Sequence, residues 1–174
     1  SSNIVMSDVN KILDGMKGAT TNATTDPNKT VNYVTCHDNY TLFDRFAAAG
    51  IRDSEIQKKM AMLANSVVFT SQGTTFMLAG EEFLRSKGGN SNSYDASYKI
   101  NELNYSLKVE HLDMFANYQK LIALKQTASS LHLNEEELVD KYTVETLNDG
   151  AVIKVTMLDE LNNKEYVIYH RNGV

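Results

Sequence analysis

The chain has 174 residues, 42% of them hydrophobic, and a net charge of −5 from 17 basic and 22 acidic side chains. That length suits one compact domain, or one and a fragment, and without any basic run the electrostatic footprint of a nucleic-acid binder is missing. Apolar stretches around Val67–Phe69 and Phe76–Ala79 fall far short of the ~18–20 residues needed to span a bilayer, and no charged-then-apolar leader is read, so a soluble chain with no membrane partner is expected.

The single cysteine, Cys36, excludes an internal disulfide and a Cys-based zinc site, and fits either side of a membrane, cytoplasmic or exported. In chain order, Ser7 is read as the cap of a helix reaching Met16, with Val9, Ile12, Leu13 and Met16 at helical spacing, before Gly18 and a Thr/Asn/Ala loop. Asp26-Pro27-Asn28 is turn chemistry. Thr30 to Cys36 has the β-branched and aromatic composition of a buried strand and ends in a polar tip, His37-Asp38-Asn39. A second helix is expected from about Ser54 to Thr70, with Ile56, Met60, Leu63, Ala64 and Val67 on its apolar face, Asp53 or Ser54 as its cap, and Gly73 as its stop. Thr74 to Ala79 reads as a strand covered on both faces, and it too ends in carboxylates, Glu81 and Glu82. Strand, helix, strand predicts a parallel crossover unit.

Arg85 to Ser106 is rich in Gly, Ser, Asn and Tyr with little periodicity, a long loop of the functional kind. Leu112 to Gln126 predicts a third amphipathic helix. After Ser129-Ser130 the period changes to two: Tyr142–Leu147, the turn Asn148-Asp149-Gly150, Ala151–Leu158 and Glu165–His170 predict an antiparallel meander. The expected division is therefore an α/β part, residues 1–128, followed by a β part, residues 129–174.

Polar residues at the C-terminal ends of consecutive parallel strands occupy the place where α/β barrels and open α/β sheets build active sites, which makes His37, Asp38, Asn39, Glu81 and Glu82 the first candidates. A plain strand-end pair and a capping cluster carry equal weight on position alone. Two carboxylates facing one cleft would suit glycosidic bond cleavage. The four histidines are scattered, so zinc spacing is absent, and there is no nucleophile elbow, phosphate loop or dinucleotide fingerprint. His111, His132 and His170 read as surface or structural histidines, and Met60, Met62 and Met77 as core filler. Tyr94, Tyr98 and Tyr105, interleaved with Asn90, Asn92, Asn101 and Asn104, pair flat apolar faces with amide groups, as a sugar ring with its hydroxyl rim demands; packing on the chain's own fold is the alternative.

The run from Val31 through Cys36-His37-Asp38-Asn39-Tyr40-Thr41-Leu42-Phe43-Asp44 resembles the last short shared region of the α-amylase superfamily, glycoside hydrolase family 13, in the form found in type I pullulanases and related α-glucan debranching enzymes. Gly80-Glu81-Glu82-Phe83-Leu84-Arg85-Ser86-Lys87 and Asn92-Ser93-Tyr94 follow at fitting distances, so the likeness covers most of residues 28–126. The resemblance implies the last part of a (β/α)8 barrel, strands seven and eight with their helices, followed by the start of an antiparallel β-domain, as a C-terminal fragment of a longer protein. It implies that Asp38 is the third catalytic carboxylate, which distorts the sugar and stabilises the oxocarbenium-like transition state, and that His37 hydrogen-bonds hydroxyls of the same ring, with Asn39 beside it in substrate binding. Asn92, Tyr94 and Asn101 would lie in or near the glucan cleft, and Glu81-Glu82 would be structural.

Two positions depart from the pattern: Cys36 stands where amylases usually carry Asn, a position that varies among debranching enzymes, and Tyr98 and Glu102 stand where relatives tend to place an Asp with an Arg nearby. The family's nucleophilic Asp and acid Glu lie on earlier strands, and a whole barrel takes about 250 residues, so this chain alone is expected to be inactive. The expected partners are an α-glucan and the rest of a parent polypeptide, or a second copy covering exposed barrel edges. No cofactor and no metal ligand is expected within the chain, calcium being left to a longer parent. A non-catalytic carbohydrate-binding or assembly module is the alternative.

Overall fold

The computed structural model of the protein describes residues 5–18 and 26–171. The elements in order are α1 (Met6–Met16), β1 (Val31–Asn32), α2 (Leu42–Ala48), α3 (Ser54–Phe69), β2 (Thr74–Thr75), α4 (Tyr98–Asn101), α5 (Ser106–Glu110), α6 (Leu112–Thr127), α7 (Glu135–Lys141), β3 (Tyr142–Leu147), β4 (Val152–Asp159) and β5 (Lys164–Arg171). This is a mixed α/β chain with a three-stranded antiparallel sheet. It forms two compact units: one comprises Ser1–Asn32, Ser66–Thr75 and Ile122–Val174, the other Tyr33–Asn65 and Phe76–Leu121.

The first unit is organised by the sheet, ordered β3-β4-β5, with Tyr142 opposite Met157 and Val152 opposite both Leu147 and Arg171. Asn148, Asp149 and Gly150 close the first hairpin with φ of 52°, 54° and 86°, a left-handed run that Asn, Asp and Gly accept at least cost. Alternation then sends Tyr142 and Val144 inward on β3, and β4 buries Val155 and Met157 completely. With Met16, Leu131, Leu133 and Ile153 these form the core.

Buried polar groups in this unit are mostly matched. Gln72 donates to the Ser130 carbonyl at 2.7 Å and accepts from the Leu133 amide at 3.1 Å, while its own carbonyl accepts from Asn32 at 2.6 Å. Lys125, buried without a carboxylate, donates to the carbonyls of Ser71 (2.6 Å) and Leu131 (3.2 Å), and burial pushes its pKa down to about 8. Gly73, with φ of 79°, runs so close to Pro27 and Thr30 that a Cβ would strike the Thr30 hydroxyl and lie 2.7 Å from the Pro27 carbonyl oxygen.

The second unit contains α2, most of α3 and the long loop. Thr41 caps α2 by accepting from the Asp44 amide at 3.1 Å. Asp53 rather than Ser54 caps α3, accepting from the amides of Glu55 and Ile56 at 2.9 and 3.0 Å. Lys58 of α3 and Asp113 of α6 form an ion pair of 2.6 Å. Phe83, 1% exposed, packs tilted against Tyr105 with ring centroids 5.7 Å apart.

Several expectations need correcting. Ser7 does not cap α1: the helix begins at Met6 behind Val5, whose side chain makes no cap bond, so Ser7 already lies inside the first turn. The loop expected over the Thr/Asn/Ala run falls outside the described residues. The two long buried strands shrink to the parallel pair Val31↔Thr74 and Asn32↔Thr75, with Val31 57% and Phe76 41% exposed. A parallel strand holds its length through neighbours on both edges and cover on both faces, and among the described residues each of these has one neighbour. The loop from Arg85 contains α4, and α7 lies where no helix was read, in the stretch just before the meander.

Candidate functional site

The site is a turn. Past β1 the chain runs through Cys36, His37, Asp38 and Asn39, and Asn39 takes a left-handed φ of 64°, a conformation Asn reaches more readily than other side-chain-bearing residues. His37 Nε2 and Asp38 Oδ2 lie 3.5 Å apart, with 83% and 69% of their side chains open to solvent. Both are therefore available to a ligand.

Directly behind this exposed tip is a buried polar clamp. Asp44 of α2, 4% exposed, accepts from the Ser86 hydroxyl at 2.5 Å and from the Lys87 amide at 2.7 Å. Lys87, also 4% exposed, reaches back and donates through Nζ to the His37 carbonyl at 2.7 Å. Burial and the nearby Arg85 lower the Lys87 pKa, while Asp38, Asp44 and Cys36 pull against them. A cation held under the turn by a buried carboxylate fixes the backbone that carries His37 and Asp38. Three residues of the shared motifs, Asp44, Ser86 and Lys87, thus position the candidate pair, a role their place in the sequence alone does not reveal.

Of the other expected site residues, Asn92 and Tyr94 stand exposed in the loop, Tyr94 at 82%. The Asn92 amide donates to Asn90 Oδ1 at 2.8 Å, a local turn. Asn101 is turned inward: its side chain donates to the Ser93 carbonyl at 2.7 Å and its own carbonyl accepts from Arg85 at 2.6 Å. Among the described residues none of these three hydrogen-bonds to the His37–Asp38 pair.

Glu82 bonds the Gly80 amide at 2.9 Å. Glu81 is buried at 4% exposure, and neither of its carboxyl oxygens has a hydrogen-bond partner among the described residues. Burial raises its pKa to about 8; Asn65, alongside but outside hydrogen-bonding geometry, acts against the shift and the charge of Glu82 adds to it. His170, in the other unit, is a satisfied structural histidine, bonded to Ser66 Oγ (3.0 Å) and Thr70 Oγ1 (2.9 Å), with burial lowering its pKa to about 4.

Comparison with known proteins bears on what this turn is. No family model matches the chain. The pullulanase of Bacillus subtilis is 27% identical over 149 residues, which is 83% of this chain and 21% of that protein. A pullulanase of Klebsiella aerogenes is 38% identical over 85 residues, 48% of this chain and 8% of its own. Among solved structures, the Bacillus acidopullulyticus pullulanase matches with a TM-score of 0.84 and 34% identity over 92% of this chain and 20% of its own. A pullulanase from an Anoxybacillus species, complexed with maltotetraose, matches with a TM-score of 0.88 and 26% identity over 97% of this chain and 25% of its own. The likeness is therefore to glycoside hydrolases of the debranching class. The relatives and structures that this chain is similar to are pullulanases, and it spans a quarter or less of the length of those just described.

Proposed function

We propose that this chain is the part of a pullulanase that carries its third catalytic carboxylate, in a protein that cleaves α-1,6-glucosidic bonds of pullulan, starch or glycogen. The carrying observation is the exposed His37–Asp38 pair on a turn locked from beneath by Lys87 and Asp44. On this reading the parallel pair β1 and β2, joined through α3, corresponds to strands seven and eight of a (β/α)8 barrel, and β3–β5 begin the following β-domain. A pocket at the C-terminal end of such strands is where that architecture does its chemistry.

Asp38 would accept hydrogen bonds from the ring hydroxyls and favour the flattened, positively charged sugar of the transition state, and His37 would donate to a hydroxyl of the same ring. Nucleophile and proton donor would come from barrel strands that this chain does not contain, so the two residues bind and orient without breaking a bond themselves. Rigidity matters for that task, because a misplacement of about 1 Å costs on the order of a hundredfold in rate. Asn39 and the loop residues Asn92, Tyr94 and Asn101 would line the glucan path, Asn101 by shaping the loop through Ser93 and Arg85.

The test uses a longer polypeptide, of pullulanase length, that contains this chain. Asp38→Asn should abolish nearly all pullulan hydrolysis with the unfolding midpoint unchanged, and near-normal turnover would remove Asp38 from the mechanism.

The exposure of Tyr94 and Tyr98, 82% and 72%, favours a second reading in which the loop stacks on sugar without turnover. Retention of this chain on immobilised glucan, lost in Tyr94→Ala but kept in Asp38→Asn, would support it.

A further inference from the structure

The same turn places three different metal-binding atoms together. The Sγ of Cys36, an imidazole nitrogen of His37 and a carboxylate oxygen of Asp38 all lie within 4.8 Å of one another. Sulfur, nitrogen and oxygen donors in one cluster are the set that a borderline or soft divalent ion such as zinc, cobalt or cadmium accepts. Zinc holds such donors at about 2.0–2.3 Å, which spaces them roughly 3.3–3.8 Å apart around a tetrahedron, so the cluster needs only modest side-chain rotation to close on an ion.

Three further observations favour that closure. His37 and Asp38 are largely exposed, so little desolvation opposes an ion. Asn39, with its left-handed backbone, and the Lys87 bond to the His37 carbonyl hold the three consecutive residues in a fixed turn, so part of the ordering cost is met before binding. Cys36 Sγ makes only a long contact, 3.9 Å, to the Asp38 carbonyl, which a metal–sulfur bond would replace at small loss. Lys87 opposes it: its ammonium is close enough to Cys36 and Asp38 to act on both, and it repels a dication. A short-spacing argument that looks for histidines at helical separations overlooks such a site, because its donors are adjacent in sequence.

We infer that Cys36, His37 and Asp38 form a three-donor site for a thiophilic divalent cation, with solvent completing the coordination. As the metal–sulfur bond forms, the thiol proton leaves to solvent, and no electron is transferred. The inference does not depend on the glucan reading, since it requires only these three side chains.

The test titrates cobalt(II) alone into the reduced 174-residue chain and follows the thiolate-to-cobalt charge-transfer absorption, with zinc(II) as competitor. The expected result is one cobalt per chain, a band that zinc removes, loss of the band in Cys36→Ser, and affinity weakened about tenfold or more in each of His37→Gln and Asp38→Asn. His37 and Asp38 are exposed and Cys36 is half-buried, and circular dichroism of each variant checks that the fold is kept. Absence of the band overturns the inference. So does a band whose affinity is unchanged in both His37→Gln and Asp38→Asn, which would mark a thiol acting by itself.

Discussion

The two units of this chain are stabilised by different means. In the sheet-bearing unit, Val155 and Met157 are wholly buried and the polar groups among them are matched: Gln72 to Ser130 and Leu133, His170 to Ser66 and Thr70, Tyr142 to the Thr70 carbonyl. Of its buried side-chain hydroxyls, those of Thr75 and Ser130 are without a partner among the described residues. The site-bearing unit leaves more undone, including both oxygens of Glu81, the amide oxygen of Asn65, the Thr35 hydroxyl and Arg85 Nε, while Tyr33 and Phe76 meet edge-on with much of their surface open. An unmatched buried polar group costs about 1–3 kcal/mol, so the second unit trades stability for the placement of particular groups. It adds the Asp44–Lys87 clamp to buried side chains of its own, Phe83 and Met114 among them.

The sharpest test of this contrast is Asp38→Asn in the longer polypeptide. Turnover should fall by about a thousandfold or more while urea unfolding is unchanged, because the side chain is exposed and, on the proposed reading, acts in the transition state. The opposite behaviour belongs to Met157→Ala. Emptying a fully buried methionine should cost about 2–5 kcal/mol, measured by urea denaturation of this chain, with the turn around His37 unaffected in its amide NMR shifts.

The units should also answer pH with opposite signs. Folded His170 stays neutral to about pH 4 whereas an unfolded histidine takes its proton near pH 6.5, so its contribution is present above 6.5 and lost as pH falls toward 4. Folded Glu81 keeps its proton up to about pH 8 whereas an unfolded glutamate releases it near 4.5, so its contribution is present below 4.5 and lost as pH rises toward 8. These amount to roughly 3 kcal/mol for His170 and roughly 5 kcal/mol for Glu81. Thermal melts across pH 4–8 should show Glu81→Gln flattening the alkaline decline and His170→Asn flattening the acidic one; the same slope in either variant as in the parent chain would break the assignment. The smallest effect is expected from Asp44→Asn, which weakens the bonds from Ser86 and Lys87 and should cost about 1–3 kcal/mol, with a raised KM for glucan as the second readout.

How much of this could be read from the residues alone differs between the units for a physical reason. Local signals carry the sheet: the Asn148-Asp149-Gly150 turn and strict alternation give all three strands, and the 3.6-residue pattern gives α3 and α6 nearly to their ends. The helix α7 had its own local signal, the capping box in which Asn134 and Glu137 bond each other's amides, but it sits in a charged stretch without an apolar face strong enough to attract notice. β1 and β2 were overestimated because composition describes a strand's preference, while its length depends on neighbours. In the candidate site, the motif singles out His37 and Asp38 but not their supports. Asp44 meets Ser86 and Lys87 across more than forty positions of sequence, a closeness that only folding produces. Nor does the sequence show that Asn101, an asparagine in a tyrosine-rich loop, donates its side-chain amide to the Ser93 carbonyl.

The clamp has a bearing on how this scaffold can change. Residues 36–39 form a thin, open tip, whereas Asp44, Ser86 and Lys87 sit beneath it as a locked base. Libraries that diversify the tip and leave the base alone should yield more folded variants than libraries aimed at the base, so new specificities ought to arise here by exchanging what is displayed rather than what displays it.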